Sequence, residues 1–437
     1  MNVRIRHKNK GLEIRRLIQR IGSKIDIIPF ITMKYLSDKQ EKNQDNLTEF
    51  QEEYGFTFRD YELLSNIIKK HDKEDESYIF DINSALNALK NSKNKNIKDI
   101  YTRIPDEIIK NDTLDHIISI LEIEDDIIQL YQYVNYVQIN EHVANNLKTV
   151  TPPFIELLTK IIQTKHDIGN VYDPSCMDAQ TITSLEEFEH ATLYEKDENM
   201  YYHVLQNMII NEIPLEKITL HNEKVIIDES KEKYDTIISV PYLFNRNDKI
   251  FKSESTEKFK KYKTKNPNSI HLLNLIEHLD DNGVLITTTT QDLLVKNDAH
   301  ELRKCLIENN LLDSVIEYET GFRSRDITIL VINKNKKTDN FLFMKPEQLL
   351  PGLILPDTEE KIVESYKNRE IIPKFSSIIT KEEIIKNEYN LNPKRYVYTL
   401  DYEEKPIPEI MDEQDDIANQ ILELDKEISQ LLEKLEE

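Results

Sequence analysis

The chain has 437 residues, a formal charge of −23, two cysteines (Cys176 and Cys305) and no tryptophan. Two cysteines give no disulfide framework, and neither an apolar leader nor a run near the roughly 20 apolar residues that span a bilayer is present. The expectation is a cytoplasmic protein of two or three domains with no membrane contact. Such acidity argues against a free-standing nucleic-acid binder, because counterion release needs clustered Lys and Arg; a DNA site shared with other subunits remains open.

Residues 1–145 read as a helical bundle. Leu114, Ile117, Ile118 and Leu121 follow the i, i+3, i+4, i+7 spacing of one buried face, and Ile27 to Asp38 forms an apolar helix with a polar end. From about residue 146 short β-rich runs alternate with helical ones, the pattern of a wound α/β sheet. About seven strands are predicted, at 171–173, 191–195, 225–227, 234–240, 284–290, 314–318 and 327–333. Phe154, Leu157, Leu158, Ile161 and Ile162 mark one intervening helix, and Leu302, Cys305 and Leu306 another. Gly321 suggests a hairpin-like return between the last two strands.

Residues 146–345 are therefore expected to form an α/β domain and 346–437 a helical, loop-rich region with prolines at 346, 351 and 356. In its tail Ile417, Ile421, Leu424, Ile428, Leu431 and Leu435 form an a/d seam of about three heptads. That length is marginal for a solitary coiled coil, so docking on a partner or on its own body is expected.

In a doubly wound sheet, ligands sit beyond the carboxyl ends of the strands. Three such ends carry chemistry here: Asp173-Pro174, Glu195, and Ser239-Val240-Pro241-Tyr242. A carboxylate at the second strand's end can accept both hydroxyls of a ribose. The segment Val171 to Gln180 has the outline of a nucleotide-cofactor loop yet contains no glycine, although Gly169, Gly283 and Gly321 are kept at turns. No zinc-type cysteine pair, Gly-x-Ser-x-Gly elbow or Gly-Lys-Thr phosphate loop is present. The eleven histidines do not cluster at ligand spacing, so no metal site is expected.

Taken in order, these segments resemble the methylation subunits of type I restriction–modification systems, adenine-specific DNA methyltransferases. Ile27 to Asp38 resembles the family's amino-terminal helical signature, and Thr151-Pro152 the segment that closes over the methionine end of S-adenosylmethionine. Tyr172-Asp-Pro-Ser-Cys176 matches the start of the cofactor loop, whose usual continuation is Gly-Ser-Gly. Glu195, with Tyr201 and Asn207 behind it, matches the ribose-binding acid, and Asn222 stands where an Asp recognises the cofactor adenine. Tyr234 to Tyr242 resembles the strand leading to Asn-Pro-Pro-Phe/Tyr. Lys381 to Tyr396 resembles the carboxy-terminal signature, the most specific single match.

The resemblance implies an S-adenosylmethionine-dependent, Rossmann-like methyltransferase sheet with an amino-terminal helical domain and a carboxy-terminal helical tail. It implies Thr151, Asp173, Pro174, Cys176, Glu195 and Asn222 at the cofactor and Ser239, Val240, Pro241 and Tyr242 at the reaction centre. Partners would be DNA within a multisubunit complex, a specificity subunit held by the carboxy-terminal helix, and a restriction subunit. The departures fall at the chemistry. Val240, or Ser239 after a one-residue slip, replaces the Asn that accepts hydrogen bonds from the target amine, and losing one such polar group commonly costs about 10²–10³ in rate. Met177 is expected to project towards the methionine moiety, with Asp178 opposing the cofactor's carboxylate. Tyr242 or Phe244 would still stack on a base. Lys258, Lys260, Lys261, Lys263 and Lys265 form a basic stretch that reads as a phosphate contact or a solvated loop. A scaffold with an impaired centre is the leading expectation; an active adenine methyltransferase with atypical motifs is the alternative.

Overall fold

Alternation along the strands builds the molecule. In β1 (Asn170–Asp173) Val171 and Tyr172 face opposite sides, as do Ile237 and Ile238 in β4 (Tyr234–Ser239) and Leu285 and Ile286 in β5 (Leu279–Thr290). Both faces are apolar, so a sheet buried on both sides follows. The structure, a computed structural model, describes residues 2–22, 25–104, 111–142, 152–164, 167–225, 227–240, 254–264, 266–318, 327–346 and 356–397, with Gln414, Ile421 and Leu424 beyond them. Residues 1–397 form one compact unit and 398–437 a second.

The remaining strands are β2 (His190–Tyr194), β3 (Ile218–His221), β6 (Leu312–Tyr318), β7 (Ile327–Asn333), β8 (Phe341–Met344) and β9 (Ser376–Ile379). Their order is β3-β2-β1-β4-β5-β7-β6-β8-β9, parallel from β3 through β5, with β7 antiparallel to both its neighbours. This is the expected Rossmann-like sheet with nine strands rather than about seven. β8 and β9 extend the far edge; both are only four residues long and too short for a clear alternation. The strand predicted at 225–227 is corrected: the third strand is β3, where Thr192 pairs with Thr219, and neither Val225 nor Ile227 is in a strand.

Among the described residues, the amino-terminal helices are α1 (Asn2–Ile21), α2 (Ile28–Lys42), α3 (Leu47–Tyr54), α4 (Leu64–His71), α5 (Tyr78–Lys90), α6 (Lys95–Thr102), α7 (Asn111–Glu122) and α8 (Ile127–His142). One face of the sheet carries α9 (Pro152–Gln163), α10 (Gln180–Thr183), α11 (Glu198–Ile210) and α15 (Pro356–Asn368). The other carries α12 (Pro267–His278), α13 (Gln291–Val295), α14 (His300–Glu308) and α16 (Lys381–Lys386). Helix α11 belongs to two cores: Val204 and Met208 pack on the sheet, while Leu205, Ile209 and Ile210 pack into the amino-terminal helices. The bundle is thereby fixed beside the carboxyl ends of β1 and β2. No helix among the described residues is long and apolar enough to cross a membrane.

The segment Lys381 to Tyr396 closes the second face. Arg303 of α14 is buried and donates through Nε to the Tyr389 carbonyl (2.8 Å) and through one terminal nitrogen to the carbonyls of Leu293 (2.9 Å) and Lys296 (2.7 Å). Removing its fork strands those acceptors, each at about 1–3 kcal/mol when buried. Arg303→Met is therefore expected to lose about 3 kcal/mol in guanidinium unfolding; a loss under ~1 kcal/mol would show that water satisfies the carbonyls.

Candidate functional site

The strand order reverses between β1 and β4, so their carboxyl ends frame a crevice where ligands bind in this architecture. At the end of β1 the Asp173 carboxylate accepts hydrogen bonds from the Ser175 amide (3.0 Å) and the Thr181 hydroxyl (2.9 Å). Ser175 Oγ donates across the crevice to the Val240 carbonyl at 3.4 Å, joining the β1 loop to the end of β4. Pro174 is buried, and Cys176 sits with Ala179 in the apolar core of that face, its amide donating to the Tyr194 carbonyl (3.1 Å).

Glu195 follows β2 and is buried. One of its carboxylate oxygens accepts from the Asp197 amide at 2.8 Å, and its carbonyl accepts from Asn222 Nδ2, also at 2.8 Å. Engaging its amide this way leaves the Asn222 side-chain oxygen as the acceptor that faces other groups. Ser239 ends β4 fully buried, its hydroxyl without a hydrogen-bond partner among the described residues, and Val240 is half-buried against the apolar core. Thus Asp173, Pro174, Cys176, Glu195, Asn222, Ser239 and Val240 gather at the four neighbouring ends of β3, β2, β1 and β4. Thr151, Pro241, Tyr242 and Phe244 lie outside the described residues, as do Gly321 and Lys265.

Met177 and Ala179 adopt φ of 54° and 58°, the left-handed region that favours glycine. The glycine-type backbone path is kept without glycine. Ala179 tucks its methyl into the core, whereas Met177 is half-exposed and belongs to none of the three apolar cores. Asp178 corrects the expectation drawn from its charge. Its carboxylate accepts from Asn135 of α8 and from Gln180 (2.7 Å), and its carbonyl from Asn207 of α11 (2.7 Å). It is thus bound into the helical layer instead of opposing a ligand's carboxylate. Burial holds the Asp178 pKa above the usual carboxylate value, against the Gln180 hydrogen bond and the charge of His203 of α11, which lies 2.8 Å from Asp26. Burial opposes protonation of His203, but Asp26, Asp178 and Asp197 outweigh it and hold its pKa above the usual value. Of this network the sequence marked Asn207; Asn135, distant in sequence, carried no signal. Ser175 and Thr181 are ordinary turn and helix residues by sequence, and only geometry shows them holding Asp173 and Val240.

The basic stretch is largely engaged: Lys258 pairs with Glu277 and Lys260 with Glu257, each at 2.5 Å, and Lys261 lies 5.0 Å from the Tyr262 ring centre. The solvated-face reading suits those three residues.

The profile of the family described as N-6 DNA methylase matches residues 125–405. The chain belongs to that family. Among curated relatives, the type I restriction enzyme MjaVII methylase subunit of Methanocaldococcus jannaschii is 30% identical over 118 residues, 24% of this chain and 20% of that protein. The MjaVIII methylase subunit of the same organism is 27% identical over 149 residues, 31% of this chain and 26% of that protein. The matched segments therefore span about a quarter or less of those relatives' lengths. Among solved structures, a type I restriction–modification system methyltransferase subunit from Streptococcus thermophilus covers 90% of this chain and 100% of its own at a TM-score of 0.71 and 18% identity. A protein from Vibrio vulnificus YJ016, described as a modification subunit of a type I restriction enzyme, gives 0.62 at 12% identity, covering 90% of this chain and 97% of its own. The fold is that of a type I methyltransferase subunit.

Such methyltransferases as a class use S-adenosylmethionine, and the residues fit it unevenly. Glu195, expected at the ribose, is buried, whereas Asn222, expected at the adenine, is exposed and held by its bond to the Glu195 carbonyl. Met177, expected beside the methionine moiety, carries its side chain from a left-handed backbone position suited to glycine.

Two measurements follow. A left-handed φ costs an L-residue about 1–2 kcal/mol, partly offset by the entropy that glycine adds to the unfolded chain, so Met177→Gly is expected to gain about 0.5–1 kcal/mol in urea unfolding. A loss of that size would show that the methionine side chain stabilises the loop. Asp173 is raised to about 7, chiefly by burial and also by the Glu195 charge. With its folded value above its unfolded one of about 3.9, its contribution is complete below pH ~4 and declines as pH rises towards 7. Asp173→Asn should flatten that part of the stability–pH curve; an unchanged slope would place the titration elsewhere.

Proposed function

We propose that this chain is a methylation-subunit-like component of a type I restriction–modification system, with a DNA adenine-N6 methyltransferase fold and an impaired catalytic centre, acting as a structural or DNA-engaging subunit. The observation that carries the reading is the pairing of losses across one crevice. Met177 occupies a left-handed loop position on the donor side, and Val240 stands at the end of β4 where the acceptor side chain belongs. Valine offers no acceptor to a target amine, and Ser239, the neighbouring candidate, is fully buried. In this reading Thr151, Asp173, Pro174, Cys176, Glu195 and Asn222 are the remains of an S-adenosylmethionine site, and Ser239, Val240, Pro241 and Tyr242 the remains of the reaction centre.

The proposed division assigns the helical layer to residues 1–145, the donor and acceptor crevice to 146–345, and assembly to 346–437. The partners are DNA within a multisubunit complex, a specificity subunit engaged through the carboxy-terminal heptads, and a restriction subunit, in the cytoplasm. Most of the heptad seam lies outside the described residues, but Ile421 and Leu424, three apart, are 54% and 57% exposed. Two apolar seam residues open to solvent suit a helix that docks on another chain.

The alternative, an active S-adenosylmethionine-dependent adenine methyltransferase with atypical motifs, is favoured by the retained loop path and by the fixed Glu195 and Asn222. The two readings separate in one assay. Purified chain, with its specificity subunit and a substrate duplex, is expected to transfer no methyl group from labelled S-adenosylmethionine, whereas Met177→Gly, Ala179→Gly and Val240→Asn combined should restore measurable transfer. Transfer by the unmodified chain would establish the alternative. Deleting residues 411–437 is expected to abolish co-purification with the specificity subunit, and intact assembly would remove the tail from the interface.

A further inference from the structure

The helical layer holds a second group of chemically capable side chains, remote in sequence from the β1 loop. His71 ends α4, Asp72 follows it, and Glu122 ends α7; one ligand atom from each lies within 4.8 Å of the others. The imidazole is positioned from its other side. Nε2 lies 3.4 Å from Asp115, Asp115 accepts the Tyr78 hydroxyl at 2.6 Å, and the Tyr78 ring meets His71 edge-on at 5.2 Å. Nδ1 is buried, without a hydrogen-bond partner among the described residues and 3.9 Å from Asp72. A histidine with one nitrogen facing a carboxylate and the other facing open acceptors is how metal-bound imidazoles are oriented.

Among the described residues, neither Asp72 nor Glu122 forms an ion pair with a lysine or arginine. Lys34, on the neighbouring α2, lies 3.2 Å from Asp38. A divalent cation would balance the two adjacent carboxylates and supply a partner for Nδ1 at once.

We propose that His71, Asp72 and Glu122 form a binding site for a divalent transition-metal ion that staples the end of α4 to the end of α7. One imidazole and two carboxylates suit Zn²⁺, Co²⁺ or Mn²⁺ better than Mg²⁺ or Ca²⁺, which take oxygen ligands alone. Water completes the coordination, since both carboxylates face solvent, and the role is structural: α7 and α4 both flank α2, the helix against which α11 packs. No sequence spacing marks this site, because Glu122 arrives from a separate helix.

The test uses the full chain after chelator treatment. Co²⁺ is expected to bind one per chain with visible d–d absorption, to be displaced by Zn²⁺, and to raise the melting temperature by a few degrees at saturation. His71→Ala should abolish this band. Glu122→Gln, which keeps the shape of the helix end, and Asp115→Asn, which removes the orienting charge, should each weaken binding about 10–100-fold with an unchanged far-ultraviolet spectrum. Absence of one-to-one binding, or equal affinity in the chain and in Glu122→Gln, would overturn the proposal. Zn²⁺ or Co²⁺ binding that survives His71→Ala would do the same by locating the ion on other residues.

Discussion

Asp178 holds together three parts of the molecule. Its carbonyl accepts from Asn207 on α11, its carboxylate accepts from Asn135 on α8, and its flanking residues carry the left-handed turns that lead from β1 into α10. The shape of the crevice therefore depends on a buried acid that belongs to the loop and is satisfied by the helical layer. A buried carboxylate deprived of such partners would be strongly destabilising, so loop, α8 and α11 are fixed as a unit. Because α11 also shares its two faces between the sheet core and the helical core, a displacement of the bundle would reach the loop through packed side chains and hydrogen bonds alike.

The backbone conformation of the loop and its side chains point in different directions. At Gly169, φ is +56°, and a Cβ would collide with the Asp235 carboxylate that accepts from the Asn170 amide at 2.8 Å. Glycine is kept there because nothing else fits. Met177 and Ala179 share that φ range, yet Ala179 finds room in the core and Met177 is half-buried outside the apolar cores. Steric need inside the protein thus does not require glycine at the loop; only a ligand approaching from outside would. That contrast separates the constraint of folding from the constraint of binding, and in the proposed function the loop retains the first without the second.

Much of this was legible in the sequence because it rests on periodicity. The stripe Phe154, Leu157, Leu158, Ile161, Ile162 forms α9, and the alternating runs form β1, β2, β4, β5, β6 and β7 where the pattern placed them. β3 was misplaced because Ile218 to His221 is only partly buried and lacks a clean alternation, while Val225 and Ile227 are β-branched residues in an irregular segment. The direction of Asp178 was illegible for a different reason: its partner Asn135 lies on another element, and charge alone says nothing of which way a carboxylate turns. Family order supplied Glu195 and Asn222, and the hydrogen bonds around them supply the physical reason they can be positioned.

The central claim is that a fold of methyltransferase type has kept its donor loop's path and lost the fit to the donor. Calorimetric titration of the unmodified chain with S-adenosylmethionine, near neutral pH and without partner subunits, addresses it directly. The account predicts no saturable heat up to high micromolar donor, and the appearance of binding in the Met177→Gly, Ala179→Gly chain. Saturable one-to-one binding at low micromolar donor in the unmodified chain would contradict it.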